Sequence, residues 1–283
     1  MNRRVLAVLL SVLSVSTFAC KDAGKVSAEK AVPHAERIAK LVEADVGEIR
    51  KGLPAGAKKL ADTLFAPEAK EVTPGQARAA MKKTREAVTD LQLAKSTFFA
   101  VADDKGMVYA NDLETDGMSG KSVLAPVPAL EKAKSGYVET LGDWDEARGV
   151  RTGDDVQWFA ATPITQGGTL RGLYVTGWSM RRFANHLEEQ LKSDLRNDKS
   201  KQPGDKQPLV YVFVVRGKKA YGAPVAPAVN QTAVEGLDVL SKIQGDATWS
   251  GALEITNRSF GAAARRVKDL CEDCAVVVLR SET

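Results

Sequence analysis

Aromatic residues are scarce in this chain: Phe, Trp and Tyr supply 6% of its 283 residues, against 44% hydrophobic and 27% charged residues overall. The shortage does not exclude a core, because a chain of this length buries roughly 75% of its extended surface without disulfides or metals. Histidine is rarer still, with only His34 and His186 in distant segments, and cysteine occurs three times. A structural zinc site needs about four ligands, so no zinc spacing is present. No basic run exists, which argues against nucleic acid and leaves no polybasic membrane patch. The motifs of hydrolases, metalloproteases and phosphate-binding loops are also missing. "GKS" at Gly120–Ser122 lacks the upstream glycine and the preceding buried strand of a phosphate loop, and reads as a loop. We expect no catalysis, no cofactor and no metal.

The first twenty residues, "MNRRVLAVLLSVLSVSTFAC", combine two arginines, an apolar run from Val5 to Val15 and small residues before Cys20. The run is shorter than the ~20 residues of a permanent membrane span. The stretch resembles a bacterial lipoprotein signal, departing from it at Thr17 and Phe18. That resemblance implies removal of residues 1–19 and lipidation of Cys20; a plain secretory signal is the alternative. Losing Arg3 and Arg4 with no acids lowers the net charge from +4 to +2. Lipidation would hold the body on the periplasmic side of a bacterial membrane. Lys21 leans toward the outer membrane and Asp22 against it, which leaves inner and outer open.

Residues 20–27 read as a polar, lipidated tether. From Ala28 to Leu53, Ile38, Val42, Val46, Ile49 and Leu53 recur at helical spacing. Pro54 and Gly56 are expected to break that helix, with Leu60, Leu64 and Phe65 in a further short piece. In "EVTPGQ", Thr73 suits an N-cap, Pro74 the first helical position and Gln76 a capping box. Ala77, Met81, Thr84, Val88 and Leu91 then share one face. The helical segment spans 28–95, and its apolar stripe packs on the next domain or meets a partner.

At Thr97 the period changes to that of strands. "FFAVADDKGMVYAND" reads as a hairpin closed by Gly106, where positive φ is common. "VPALEKAKSG" is a short helix, "YVETL" a strand, and "QWFAATPIT" with "LRGLYVTGWS" a second hairpin leading into a helix. Antiparallel strands with helices set aside make an α+β layer. "RNDKSKQPGDKQP", residues 196–208, is a linker. The same order then returns over 209–283: a strand at Leu209–Val215, a helix near Ala233–Ile243, then "GALEITN", "SFGAAARRVKD" and "AVVVLRS". Alanine propensity would make "FGAAARRV" helical. The repeat makes it a strand, and we follow the repeat.

"FFAVADDKGMVYANDLETDGMSGKSV" and "ATPITQGGTLRGLYVTGWSM" resemble the opening and closing hairpins of Cache domains, extracytoplasmic PAS-like sensor modules of bacteria. Residues 96–195 resemble one such domain and 209–283 a second, in a double-Cache order. The resemblance implies a small molecule held on one face of the sheet under its loops, near Tyr109, Asp112, Trp144, Arg151, Trp158 and Tyr174. Aromatics would form walls, and Arg151 or Asp112 would fix a charged group; core packing and solvated loops are the plainer roles. The family's amino-acid-binding Arg-x-Trp-Tyr run does not occur, so that specificity does not carry over. Family members continue into a membrane helix and a signalling domain. With no second apolar run, this chain is expected to pass ligand state to a separate membrane or envelope protein. The rival is a structural or adaptor lipoprotein with filled pockets.

"CEDC", Cys271–Cys274, precedes a strand rather than opening a helix, and Glu272 and Asp273 raise thiol pKa. In an oxidising compartment a structural disulfide is expected there. "GDWDEARGVRTGDD" is rich in carboxylates; a solvated loop explains it more cheaply than a divalent cation at Asp143, Asp145, Asp154 or Asp155.

Overall fold

A computed structural model describes residues 3–66, 71–148, 153–198, 200 and 206–282 of the protein, with side chains from residue 23 onward. The chain divides into two compact units, Glu43–Phe183 and Met1–Val42 with Ala184–Thr283. The helical segment is therefore not a body of its own, since residues of one helix belong to each unit.

That helix, α1, runs Arg3–Leu64, and it departs from two expectations. Residues 23–27 are helical, not a tether. Gly24, Ser27, Ala28, Ala31 and Ala35 present a small, buried face on which β-structure of the same unit packs closely. Pro54 does not end the helix either. An interior proline removes a hydrogen bond and costs about 3 kcal/mol. The buried run Val46, Ile49, Leu53, Ala57, Leu60, Ala61 and Leu64 continues across it, and burial of each large side chain contributes about 1.5–3 kcal/mol. Packing outweighs the break. The expected lipidation site, Cys20, has its side chain outside the described residues.

In the unit of residues 43–183, α2 (Pro74–Ala87) starts at the expected capping box: Thr73 Oγ1 accepts from the Gln76 amide, and Gln76 Oε1 accepts from the Thr73 amide. Its buried face is Ala77, Ala80, Met81 and Thr84. The chain turns extended at Val88, and α3 (Thr89–Leu93) follows. Gly52 and Gly56 lie one helical turn apart on α1 and leave a notch that Leu91 enters. A Cβ on Gly52 would stand 2.8 Å from Leu91 Cδ2, and one on Gly56 2.7 Å from Leu91 Cδ1 and 2.9 Å from Tyr174 Cε1.

The first sheet comprises β1 (Phe98–Asp103), β2 (Val108–Asn111), β3 (Val138–Gly142), β4 (Gln157–Gln166) and β5 (Thr169–Ser179), all antiparallel, in the order β2-β1-β5-β4-β3. Gly106 has φ +82° in the first turn. Asp103 Oδ1 accepts there from the Lys105 and Met107 amides at 2.9 and 2.7 Å. One face packs on the loops after β2 and on a 3-10 turn, Pro128–Lys134: Phe98, Ala100, Phe159, Ala161, Leu173 and Val175 meet Met118, Leu130 and Trp144. The other carries Phe99, Trp158, Tyr174 and Trp178. Helix α4, Met180–Arg196, follows β5.

The other unit repeats the plan. Strands β6 (Leu209–Arg216), β7 (Lys219–Gly222), β8 (Trp249–Ile255), β9 (Arg258–Arg266) and β10 (Cys274–Ser281) lie in the order β7-β6-β10-β9-β8. This is the first sheet's order, strand for strand. Helices α5 (Ala228–Gly236) and α6 (Val239–Lys242) lie between β7 and β8. "FGAAARR" is a strand, paired with β8 and β10. Phe260, Ala262 and Ala264 point into the core with Phe213, Val277 and Leu279. The intervening Gly261 meets α1. Beyond Gly222 the edge of β6 is not covered by β7, and there the Glu188 carboxylate of α4 accepts from the Val212 amide at 3.0 Å.

Candidate functional site

The residues expected around one loop-side pocket are divided by the sheet. Trp144 lies on the loop side, 4% exposed, its ring edge-on to Phe98 at 6.4 Å. Its amide donates to the buried Gln157 Oε1 at 2.8 Å. It fills the space rather than lining an opening. Trp158 and Tyr174 point to the opposite, helix-covered face. Trp158 pairs across strands with Trp178 and stacks on it at 4.3 Å, and Trp178 stacks in turn on Phe183 at 4.6 Å. Tyr174 is fully buried beside Phe99 and Gly56, and burial drives its phenol pKa far upward. Tyr109 is half-buried on edge strand β2; burial, then Asp103, Asp104 and Glu71, raises its phenol pKa. Arg151 lies outside the described residues. The five described side chains do not form one constellation.

Asp112 does stand at a cavity, reached from the helix side. A groove of about 530 Å³ is lined by Arg78, Lys82, Arg85, Glu86, Gln92 and Asp112. Arg78, Lys82 and Arg85 recur at spacings of four and three along α2, so one stripe of the helix carries all three cations. The stripe borders the buried face of Ala77, Met81 and Thr84, which fixes its orientation. Arg78 is held by the Asn111 carbonyl at 3.1 Å and by Asp116 at 2.8 Å. Asp116 also accepts from Asn111 Nδ2 and from the Ser119 amide and hydroxyl. The loop after β2 is thereby tied to α2.

Arg85 lies over the Phe99 ring, 4.4 Å from its centroid, and donates to Asp112 Oδ2 at 2.5 Å. Asp112 Oδ1 accepts from the Phe99 amide at 2.7 Å. Burial raises the Asp112 pKa, opposed by the Phe99 amide and the Arg85 charge. Gln92, from α3, donates its amide to the Glu86 carbonyl. The groove can orient a small polar molecule; Arg78, Arg85 and Asp112 are held in ion pairs, and Lys82 is exposed. Sequence reasoning missed Arg78, Lys82, Arg85 and Gln92. Their signal was the 78–82–85 spacing, which also describes any solvated helix face.

The carboxylate loop offers less. Asp143 and Asp145 pair with Arg148 at 2.9 and 3.1 Å, and Asp155 accepts from the Val156 and Arg181 amides. A disulfide joins Cys271, in the turn before β10, to Cys274, the first residue of that strand, and the Asp273 carbonyl between them accepts from the Gly217 amide. Asp273 completes the group of potential metal ligands found among the described residues, but bonded sulfurs offer no thiolate.

No protein-family model matches the sequence, and no curated protein matches it. Solved structures do resemble it. A domain of a sensory box/GGDEF family protein from Vibrio parahaemolyticus has a TM-score of 0.58 at 11% identity, covering 92% of this chain and 98% of its own. The extracellular domain of a protein described as a histidine kinase has a TM-score of 0.57 at 11% identity, covering 92% of each chain. Both likenesses run through both sheets rather than one. With two sheets of identical strand order following a long helix, the chain has the double-Cache-like fold of bacterial sensor domains.

Proposed function

We propose that the protein is an exported recognition module, anchored through Cys20 on the periplasmic side of a bacterial membrane. It holds a small molecule without transforming it and passes the bound state to a partner protein. The observation that carries this reading is the α2 groove: its volume of about 530 Å³ falls in the roughly 300–1,000 Å³ range of small-molecule sites. Its wall is built on a capped helix. The sensor fold supports the same reading, since the Vibrio domain belongs to a sensory box protein and the second neighbour to a kinase.

Transmission would start at α2. Leu91 of α3 sits in the Gly52–Gly56 notch of α1, so movement of α2 and α3 has to be accommodated by α1. A ligand biases such a pair of states only by its difference in affinity for them. The test is a thermal-shift screen of the detergent-solubilised full-length chain against organic acids, phosphates, amines and sugars. A ligand at 100 times its Kd stabilises by about 2.7 kcal/mol. A shift that disappears in a Lys82→Glu variant supports the groove as the site.

One observation favours a second reading, an adaptor without a ligand. The loop sides of both sheets are packed with their own side chains, Phe98, Trp144 and Phe159 in one and Phe213, Phe260 and Leu279 in the other. No shift in any ligand class, together with a stoichiometric envelope partner, supports the adaptor instead.

A further inference from the structure

We infer that the α2 groove takes a small oxyanion, a carboxylate or phosphate group held by Lys82 and Arg85. The inference deepens the recognition reading and rests on it. The groove is rich in hydrogen-bond donors and poor in free acceptors. Arg85 spends Nη1 on Asp112, and its buried Nε has no acceptor among the described residues. Arg78 spends Nε and Nη2 on Asn111 and Asp116. A guanidinium has further N–H donors in the same plane, so each arginine retains some for a ligand. Lys82 is exposed, has no carboxylate partner among the described residues and brings three more donors. Gln92 adds a carboxamide at the rim.

Against these stand two carboxylates and the oxygen of the Gln92 carboxamide, whose NH2 already donates to the Glu86 carbonyl. Asp112 is committed to Arg85 and to the Phe99 amide. Of the carboxylates only that of Glu86 is left, and it lies one turn from Lys82 without pairing with it among the described residues. An acceptor-rich, negatively charged group satisfies the donors that remain. Its approach is opposed by Glu86 and by Asp112, the latter offset by its pairing with Arg85. Charge-assisted bonds from an arginine fork and a mobile ammonium suit both carboxylate and phosphate.

Glu86 makes the inference easy to test, because it reverses the expected sign between ligand classes. Calorimetric titration of the detergent-solubilised full-length chain at low salt would use inorganic phosphate, pyrophosphate and malonate as oxyanion probes. Putrescine and glucose would be the cationic and neutral probes. An oxyanion should bind, weaken at least about 10-fold in Lys82→Glu and tighten about 3-fold in Glu86→Gln. Both positions are exposed, so an unchanged melting temperature shows that the fold is intact. Phosphate binding without malonate binding, or the reverse, identifies which chemistry the groove takes. Three results overturn the inference. Binding of putrescine or glucose alone defeats the oxyanion and leaves the recognition reading standing. Oxyanion binding untouched by both variants defeats the site. Silence from all five probes defeats the oxyanion, while the wider thermal-shift screen decides the recognition reading separately.

Discussion

Gly261 of β9 lies directly against the backbone of Ala28 in α1: a Cβ at position 261 would stand 1.9 Å from the Ala28 nitrogen and 2.1 Å from the Ser27 carbonyl carbon. No atom of that contact is a flexible side chain. The helix can approach this closely only because the strand offers no side chain, and because Ser27, Ala28 and Ala31 offer small ones.

Gly261→Ala should therefore be among the most damaging single substitutions in the chain. Overpacking commonly costs about 1–3 kcal/mol, and an obstruction made of backbone belongs at or above the upper end. Gly236→Ala, near the end of α5 with nothing within 4 Å of its Cβ position, should be nearly neutral. Paired thermal melts would measure both. Equal melting temperatures for the two variants would contradict the close packing of α1 on β9.

Asp45 links stability to pH. Burial first, then the Glu48 charge, raises its carboxyl from 3.8 to about 7, with Lys95 opposing. The unfolded chain ionises near 4 while the folded chain keeps its proton, so folding is favoured at low pH. That advantage is lost as pH rises through about 7 and can reach roughly 4 kcal/mol. Asp45→Asn should melt higher than the native chain at pH 8. The gap should close toward pH 5. Parallel melting curves across that range would rule out Asp45 as the source.

Asp112 serves two donors, the Phe99 amide and the Arg85 guanidinium. Asp112→Ala strands both and should cost about 3 kcal/mol. Asp112→Asn keeps an acceptor for the Phe99 amide and should cost only about 1 kcal/mol. Chemical denaturation separates the two. Equal losses would mean that the Arg85 charge alone accounts for the effect.

The sheets and their repetition were legible because strand period, turn residues and order recur twice. "FGAAARRV" shows how: local propensity pointed to a helix, while its place in the repeated order pointed to a strand, and tertiary packing decided for the strand. Thr73, Pro74 and Gln76 were equally readable, since a cap is a local interaction. Pro54 misled because packing contributed by Leu53, Ala57 and Leu60 on either side is invisible to a local rule. The site was less legible for a geometric reason. Alternation puts Trp158 and Phe159 on opposite faces, but it does not say which face the loops cover. Asp112 was found from its strand end; its partner Arg85 lies 27 residues earlier, on a helix whose docking position no spacing reveals.

The Cys271–Cys274 disulfide closes a very short loop. Loop-closure entropy then contributes only about 2 kcal/mol. A Cys271→Ser/Cys274→Ser variant should fold and lose no more than that, because β10 is held by β6 and β9 along its length. Thiol titration of the unreduced, denatured native protein should find neither sulfur free. Two reactive thiols from this pair would contradict the bridge.

Anchoring should depend wholly on Cys20. Among the described residues no helix is long and apolar enough to cross a membrane, and the sequence after residue 19 has no basic cluster to add electrostatic attraction. One acyl chain alone binds a bilayer only marginally, with a constant of about 10⁴ M⁻¹, so stable attachment requires more than one chain. The native protein should sediment with membranes and carry a multiply acylated N-terminal cysteine by intact mass. Cys20→Ser should move it to the soluble fraction with its melting temperature unchanged, since the packed face described for α1, from Gly24 onward, does not include that position. A native protein that sediments with membranes while Cys20 is unmodified would require a different attachment, through a protein partner and not a lipid.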